Sequence, residues 1–586
     1  MNPAADAHPP DSQTSLLHEP RGLSRDVMLI SGFCLLLAAV LRLVRVSYRE
    51  LFGAEFWTLS FVTGGRGDLL DSLFHGHLPL YYEFMRGWAK VAGTGEVALR
   101  APSVVFGLLT CAAFVFFAQR YLRRTAFAIC VIAFALNPIL VASSNHAAPF
   151  ALMGLFAVLS NYFCIRGLDE GGRRNWTLWA VYSVLGALTH PFFWFLLLGQ
   201  FAFAVMRPRR TPRQFYALGV AALVGAAVAT VSAAVYAGHR YPKHVDVATP
   251  SLDDMVRALV AVLLGDVARF GYNDKTFVQA VLYLFVLATL VLSVFYYRRR
   301  AEEASAMPDN VVFIDMTQDV VGNWYRLNLA GFLLFQWITF IVPAVGIWMV
   351  GTYASNMRLE PEYFLVCLPS LVILVAAGID AARPTSAASI GAGWRRWFAV
   401  GLGVVYVVIM AVYCALALTD SGSGLKKAAA RIAEEGFDPS RDAFMIVHSA
   451  GIERGIEQYL AGLPAVKLDG TEPVAETRRI VAEAATGRER VFVFYRNDYR
   501  RFGRSLRPLV REWFDEQMRA GEINTKVNKW EMSRPERTEL RIYSRLAPGE
   551  NPDPAEVPPP APPPPPRDAD EATTAPGVPP PAPPAS

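Results

Sequence analysis

A polytopic α-helical membrane protein of about eleven spans, with a C-terminal small α/β extracytoplasmic domain, is the fold class that three features of this sequence predict. Apolar residues make up 53% of the 586-residue chain and fall in long uninterrupted blocks. Basic residues gather in short clusters between alternate blocks. Beyond the last block the composition turns globular and then becomes a Pro-Ala-rich tail.

A hydrocarbon layer of roughly 30 Å needs about 20 apolar residues in helical form. On that length the spans fall near 27–46, 101–120, 125–143, 149–165, 177–189, 192–206, 215–237, 277–297, 328–350, 363–381 and 396–417. Thr189, His190 and Pro191 separate two short stretches that could equally be one broken helix, which would invert everything after it. The charges decide for two spans. With the N-terminus inside, every basic cluster reaches the cytoplasmic side: Arg123 and Arg124; Arg166, Arg173 and Arg174; Arg207, Arg209, Arg210 and Arg213; Arg298 to Arg300; Arg383, Arg395 and Arg396. Loops 47–100, 144–148, 238–276 and 351–362 then face outward, as does the segment after the last span.

Four regions follow. Residues 1–26 are polar and read as a disordered cytoplasmic tail, too unlike a signal peptide to be one. Residues 27–420 form the membrane domain, with 47–100 as its first outer loop. Residues 421–546 carry strand-like runs at 443–448, 491–495 and 540–543, separated by helical patterns such as 474–485, which predicts a small α/β domain outside the membrane. Residues 547–586 cannot bury a core and read as a polyproline II tail.

Composition also excludes functions. The net charge of +5 comes from the clusters that orient the spans, which sets nucleic acid aside. The six cysteines lie in or beside apolar blocks with no CxxC or CxxH spacing, so neither a disulfide framework nor a zinc site is indicated. There is no Walker-type loop, Gly-rich nucleotide fingerprint or HExxH, which argues against a nucleotide-sugar donor and against a metalloprotease. Few charges lie within the spans and the notable polar residues cluster in the outer loops, which disfavours a secondary transporter.

The chemistry-bearing residues cluster in the outer loops. Gly53, Ala54, Glu55, Phe56 and Trp57 follow the first span; His77, Leu78, Pro79, Leu80, Tyr81 and Tyr82 come next; Ala98, Leu99, Arg100, Ala101, Pro102 and Ser103 lead into the second span. In this order and spacing the loop resembles the first outer loop of membrane-embedded glycosyltransferases of the C superfamily. These enzymes draw sugars from polyprenyl-phosphate lipids and include the protein O-mannosyltransferases and the aminoarabinose transferases. Their loop reads approximately Asp-Glu-Ala, His-Pro-Pro-Leu-Tyr-Tyr and Leu-Arg-Leu-Pro-Ser, and Ala54 stands here where their catalytic Asp is expected.

The resemblance implies inverting transfer of a sugar from a polyprenyl-phosphate donor to an envelope glycan, lipid or protein acceptor, at the outer face of a bacterial inner membrane. The N-terminus would be cytoplasmic and the C-terminal domain periplasmic. Glu55, among aromatic neighbours near the interface, would be the base; a solvated Glu on an interfacial helix is the structural alternative. His146, in the stretch Asn145-His146-Ala147-Ala148 where relatives carry Gln-Glu-Ala-Arg, is a second candidate for proton handling.

His77, Tyr81 and Tyr82 would shape the cavity or anchor a helix in the headgroups. Arg100 would bind phosphate or snorkel. His190 matches a Thr-His element of relatives, although a satisfied core histidine reads nearly as well. Arg240 and Lys243, in a cationic outer loop, would lie near the lipid phosphate or simply near anionic headgroups. Relatives carry Arg-Tyr-Leu near span ten where this chain has Glu362-Tyr363-Phe364, and Arg358 could replace that Arg from one helical turn away. No cofactor is certain. A divalent metal is open, because Glu55, Asp68, Asp71 and Glu83 could supply oxygen ligands without forming a recognised spacing. Departures from three family motifs at separate places keep a second expectation in view: a catalytically inactive relative that binds a lipid-linked glycan or a partner.

Overall fold

The computed structural model describes residues 25–44, 46–47, 50–51, 54–64, 78–122, 124–206, 219, 222–228, 231, 249–265, 283–295, 329–355, 359–381, 392–418, 424–447, 459–460, 463–468, 474–495, 506–519, 525–533 and 538–545. His77, Arg240, Lys243 and Arg358 lie outside them, as do both terminal tails and most of the seventh expected span.

The helices are α1 (Arg25–Leu43), α2 (Ala54–Thr63), α3 (Pro79–Ala92), α4 (Glu96–Tyr121), α5 (Arg124–Leu136), α6 (Pro138–Ser144), α7 (Phe150–Glu170), α8 (Arg173–Ala187) and α9 (Phe193–Val205). After these come α10 (Leu252–Leu264), α11 (Tyr283–Phe295), α12 (Leu329–Met349), α13 (Leu368–Ala381) and α14 (Ala392–Leu418). Among the described residues five helices are long and apolar enough to cross a membrane, and α5 with α6 forms a sixth candidate bent by 46°. Helices α9, α11 and α13 are apolar but shorter, so the described residues do not reach the expected count of eleven.

Prolines account for the irregularities. The stretch 125–143, expected as one span, breaks at Pro138, which has no N–H to continue the ladder. Asn137 caps the new helix, its side-chain oxygen accepting the Leu140 N–H at 2.8 Å. Ala135 would have received the Ile139 N–H in an unbroken helix; its carbonyl instead accepts from the buried Arg42 guanidinium at 3.4 Å. Arg42 Nε also donates to Ser144 Oγ at 3.1 Å, so one side chain of α1 braces the last turns of both α5 and α6 across the bend. The span expected at 363–381 likewise divides, into a 3-10 turn at Pro361–Val366 and α13.

Beyond the membrane helices, α15 (Leu425–Glu434), β1 (Asp442–Val447), β2 (Ala465–Leu468), α16 (Val474–Ala485), β3 (Arg490–Tyr495), α17 (Leu506–Arg519), β4 (Thr525–Ser533) and β5 (Thr538–Arg545) build one five-stranded sheet in the order β2-β1-β3-β5-β4. The first three strands are parallel, and β5 pairs antiparallel with both β3 and β4. Period-two alternation assigns the faces. Phe444, Ile446, Phe492, Phe494, Leu540 and Ile542 join the core that contains Leu425, Ala428 and Ile432 of α15. Met445, Val447, Val493, Tyr495 and Tyr543 meet Val481 of α16 and Phe514 of α17. Arg490, at the start of β3, grips the start of β1 through both Asp442 oxygens, at 3.1 and 2.6 Å.

Candidate functional site

The outer loop is built around Pro102. A proline at the seventh residue of the next helix cannot donate to the Ala98 carbonyl, and Trp88 Nε1 of α3 takes that place at 2.7 Å. Helix α3 is thereby fastened beside the first turns of α4. Arg86 on α3 donates to the Phe61 carbonyl of α2 at 3.2 Å, adding the third helix of the loop. Tyr81 lies fully buried with its hydroxyl 3.4 Å from Ser103 Oγ, and Tyr82 packs on Phe61 with ring centroids 4.5 Å apart. Burial pushes the Tyr81 phenol up, so it stays a neutral hydroxyl.

At the centre, Glu55 in the first turn of α2 meets Arg100 in the second turn of α4. The carboxylate accepts from Arg100 Nε and Nη2 at 2.8 Å each, and Glu55 Oε1 also accepts the Ala147 N–H at 3.0 Å. Arg100 Nη1 donates to the Val46 carbonyl at 3.1 Å and Nη2 to the Glu50 carbonyl at 2.8 Å. Both residues are wholly buried. Glu55 is therefore not a solvated residue of an interfacial helix, and Arg100 does not snorkel. Their expected separate tasks, as base and as phosphate ligand, meet a physical obstacle in this arrangement. The two groups share two hydrogen bonds and give others to backbone groups, and an unpaired charge buried here would cost several kcal/mol, on the order of 3–5.

The Ala147 amide belongs to the turn 145–149 between α6 and α7. Thr58 Oγ1 donates to the Ala147 carbonyl at 2.6 Å, so α2 holds both sides of that residue. His146, immediately before it, is 6% exposed. On the far side of Phe150 lies His190, in the break between α8 and α9, with ring centroids 5.6 Å apart. Phe192 and Tyr363 complete the cluster, at 5.2 and 5.9 Å from His190. His190 Nδ1 accepts the Phe192 N–H at 3.3 Å, which places the ring proton of the neutral imidazole on Nε2 and makes that atom a donor. The Leu80 N–H donates to the Leu188 carbonyl at 3.2 Å, joining α3 to the same break.

Three elements remote in sequence thus converge: the first outer loop, the turn after α6, and the His190 break with Tyr363. Of the expected site residues, Glu55, Tyr81, Tyr82, Arg100, His146 and His190 lie in this assembly. For a metal, Glu55 is held by Arg100 and the Ala147 amide, and Glu83 pairs with Arg86 at 3.2 Å. Asp68 and Asp71 lie outside the described residues, within which no three His, Cys, Asp or Glu side chains form a cluster. The two of these carboxylates that are described, Glu55 and Glu83, are thus each paired with an arginine and belong to no three-residue metal cluster. Sequence reasoning missed Glu50, Tyr459 and Thr58, none of which sits in a motif.

Fold and site together define the class: a polytopic membrane protein in which the segment 47–100, the turn 145–149 and the His190 break assemble one buried polar centre. Residues 76–234 match the family model described as dolichyl-phosphate-mannose-protein mannosyltransferase, so the resemblance read from the first outer loop is met again over the stretch that includes α3 to α9. No curated protein matches the chain. Among solved structures it is similar to the oligosaccharyltransferase AglB of Archaeoglobus fulgidus in complex with an inhibitory peptide and a dolichol-phosphate, at 11% identity and a TM-score of 0.41, covering 89% of this chain and 74% of that one. ArnT of Cupriavidus metallidurans bound to undecaprenyl phosphate gives 14% and 0.35, over 88% and 97% of the two chains. The mycobacterial arabinofuranosyltransferase AftD gives 15% and 0.43, over 89% and 40%.

Proposed function

We propose that this chain transfers a sugar from a polyprenyl-phosphate donor to a glycan, lipid or protein acceptor at the outer face of a bacterial inner membrane, with its sheet domain on the periplasmic side. The observation that carries this reading is that the family match contains Arg100, the turn 145–149 and His190, while Glu55, which joins Arg100 to Ala147, lies before it. The acceptor oxygen attacks the anomeric carbon, the bond from that carbon to the lipid phosphate oxygen breaks, and the acceptor proton leaves. A single in-line displacement of this kind inverts the anomeric centre. His146, beside the amide that Glu55 holds, takes the proton. Glu55 and Arg100 act as positioning residues that fix the turn carrying His146. His190 Nε2–H and the Tyr81 hydroxyl offer neutral donors to substrate oxygens. His77, Tyr82, Arg240, Lys243 and Arg358 complete the proposed substrate contacts.

The test is release of polyprenyl phosphate by the full chain reconstituted in lipid, using anomerically defined polyprenyl-phosphate sugars and a crude envelope-glycan acceptor. Release with an inverted product supports the reading; retention of configuration overturns the single displacement. A second reading is favoured by one observation, the occupation of Glu55 by Arg100 and Ala147: the chain is a relative that binds a lipid-linked glycan without turning it over. Binding of the donor lipid without release, in an assay where an active relative succeeds, would select that reading.

A further inference from the structure

Glu50 contacts both the Glu55–Arg100 pair and the sheet domain. Its carboxylate is 3% exposed and accepts the backbone N–H groups of Gly424 and, at 2.6 Å, Lys426. These are the leading amides of α15, where the helix N-terminus favours a negative charge. Gly424 enters that helix with φ 79, in the left-handed region where glycine is unstrained. The carbonyl of the same Glu50 accepts Arg100 Nη2 at 2.8 Å. One residue therefore caps the first helix of the sheet domain with its side chain and orients the site guanidinium with its backbone.

Neighbouring contacts run between the same partners. The Leu51 N–H donates to the Tyr459 hydroxyl at 2.8 Å, and that hydroxyl donates to Glu96, one turn before Arg100 on α4. Lys426 Nζ lies 3.5 Å from Glu96. Burial, followed by the hydrogen bond to Glu96, pushes the Tyr459 phenol up, so it remains a donor across the physiological range. Helix α15 is itself tied into the sheet, since Leu425, Ala428 and Ile432 share a core with Phe444, Phe492 and Leu540.

We propose that Glu50 is a positioning residue that makes docking of the sheet domain and alignment of the Glu55–Arg100 pair a single event, so that the domain is a working part of the site. This deepens the transferase reading and rests on it for its consequence in catalysis, while the coupling itself is a property of the fold. Its reach is defined by the hydrogen bonds: from α15 through Glu50 to Arg100, from Arg100 to Glu55, and from Glu55 to the Ala147 amide.

Amide exchange of the full chain in lipid tests this, with Glu50→Ala and Glu50→Gln compared to the parent. In Glu50→Ala the leading amides of α15 lose their acceptor, and exchange there rises about ten- to a hundredfold. The proposal requires exchange at Ala147 to rise with it, while β1 and β3 keep their protection. Glu50→Gln, which retains one acceptor oxygen, recovers part of the protection at both places. Faster exchange confined to α15, or no change at all, overturns the coupling. Where Glu50→Ala also unprotects the sheet, Glu50→Gln decides by the same criterion. If polyprenyl phosphate is released by the parent, Glu50→Ala lowers kcat more than it raises KM, and Glu50→Gln partly restores it. Coupled exchange without any release would leave this inference standing and sink the transferase reading.

Discussion

Two buried polar assemblies in this molecule solve the same problem with different chemistry. Between α2 and α4, Glu55 and Arg100 bring opposite full charges together at 2.8 Å. Among α7, α8 and α9, Gln200 is the hub of a neutral cluster: its Oε1 accepts from Trp179 Nε1 at 2.7 Å, and its Nε2 donates to Ser160 at 3.0 Å and Asn161 at 2.9 Å. Ser183 adds a bond to Ser160 at 3.0 Å. Both are buried and both fasten helices, yet only the first carries charge. A neutral amide is cheap glue between membrane helices, whereas a buried ion pair is a weak source of stability and collapses when one partner is removed. Charge between α2 and α4 therefore marks a place where position matters more than stability.

That contrast can be broken or sharpened by substitution. The largest effect belongs to Glu55→Ala or Arg100→Ala, each leaving a buried charge alone and costing about 3–5 kcal/mol. Thermal unfolding in lipid should show it, and an apolar replacement of both residues should recover most of the loss. A single variant as stable as the parent would mean that the pair is wet.

Gly107→Ala comes next. The added Cβ would fall 2.0 Å from Ser144 Oγ and 3.1 Å from Arg42 Nε, so the brace across the α5–α6 bend must shift. The expected cost is about 1–3 kcal/mol, together with faster exchange in the turn 145–149. An unshifted exchange rate there would detach the brace from the site.

Gln200→Leu removes the neutral hub at about 1–2 kcal/mol. Polyprenyl phosphate release should be unchanged at temperatures where the variant is folded. Loss of release without loss of stability would move the Gln200 cluster into the site. Tyr81→Phe is the smallest, at about 0.5 kcal/mol, because its bond to Ser103 is long at 3.4 Å. Its effect should appear in KM for the donor.

Local features of the fold were legible in the sequence where the pattern was periodic. The helix expected at 474–485 is α16 to the residue, and the runs at 443–448, 491–495 and 540–543 lie in or overlap β1, β3 and β5. Strand β2 is too short to announce itself, and β4, with Lys526 and Lys529 in an edge strand, lacks the alternation that marks a half-buried one. The bend at Pro138 had a visible signal, since a proline within an apolar run ends the hydrogen-bond ladder. The site was legible by member but not by partnership. Glu55 and Arg100 stood in recognisable motifs, but 45 residues separate them, and no local rule says that they bind each other. Glu50 and Tyr459 had no motif at all; only the docking of α15 gives them a task.

The most direct test of the division of labour is a comparison of His146→Ala with Glu55→Gln in polyprenyl phosphate release, each variant checked for folding by thermal unfolding. The account predicts that His146→Ala stays folded and loses turnover by about 10²- to 10⁴-fold, the scale of a missing general base. It also predicts that the activity lost in Glu55→Gln follows its lost stability. A folded Glu55→Gln that is inactive, beside a His146→Ala that still turns over, would contradict it and return the base to Glu55.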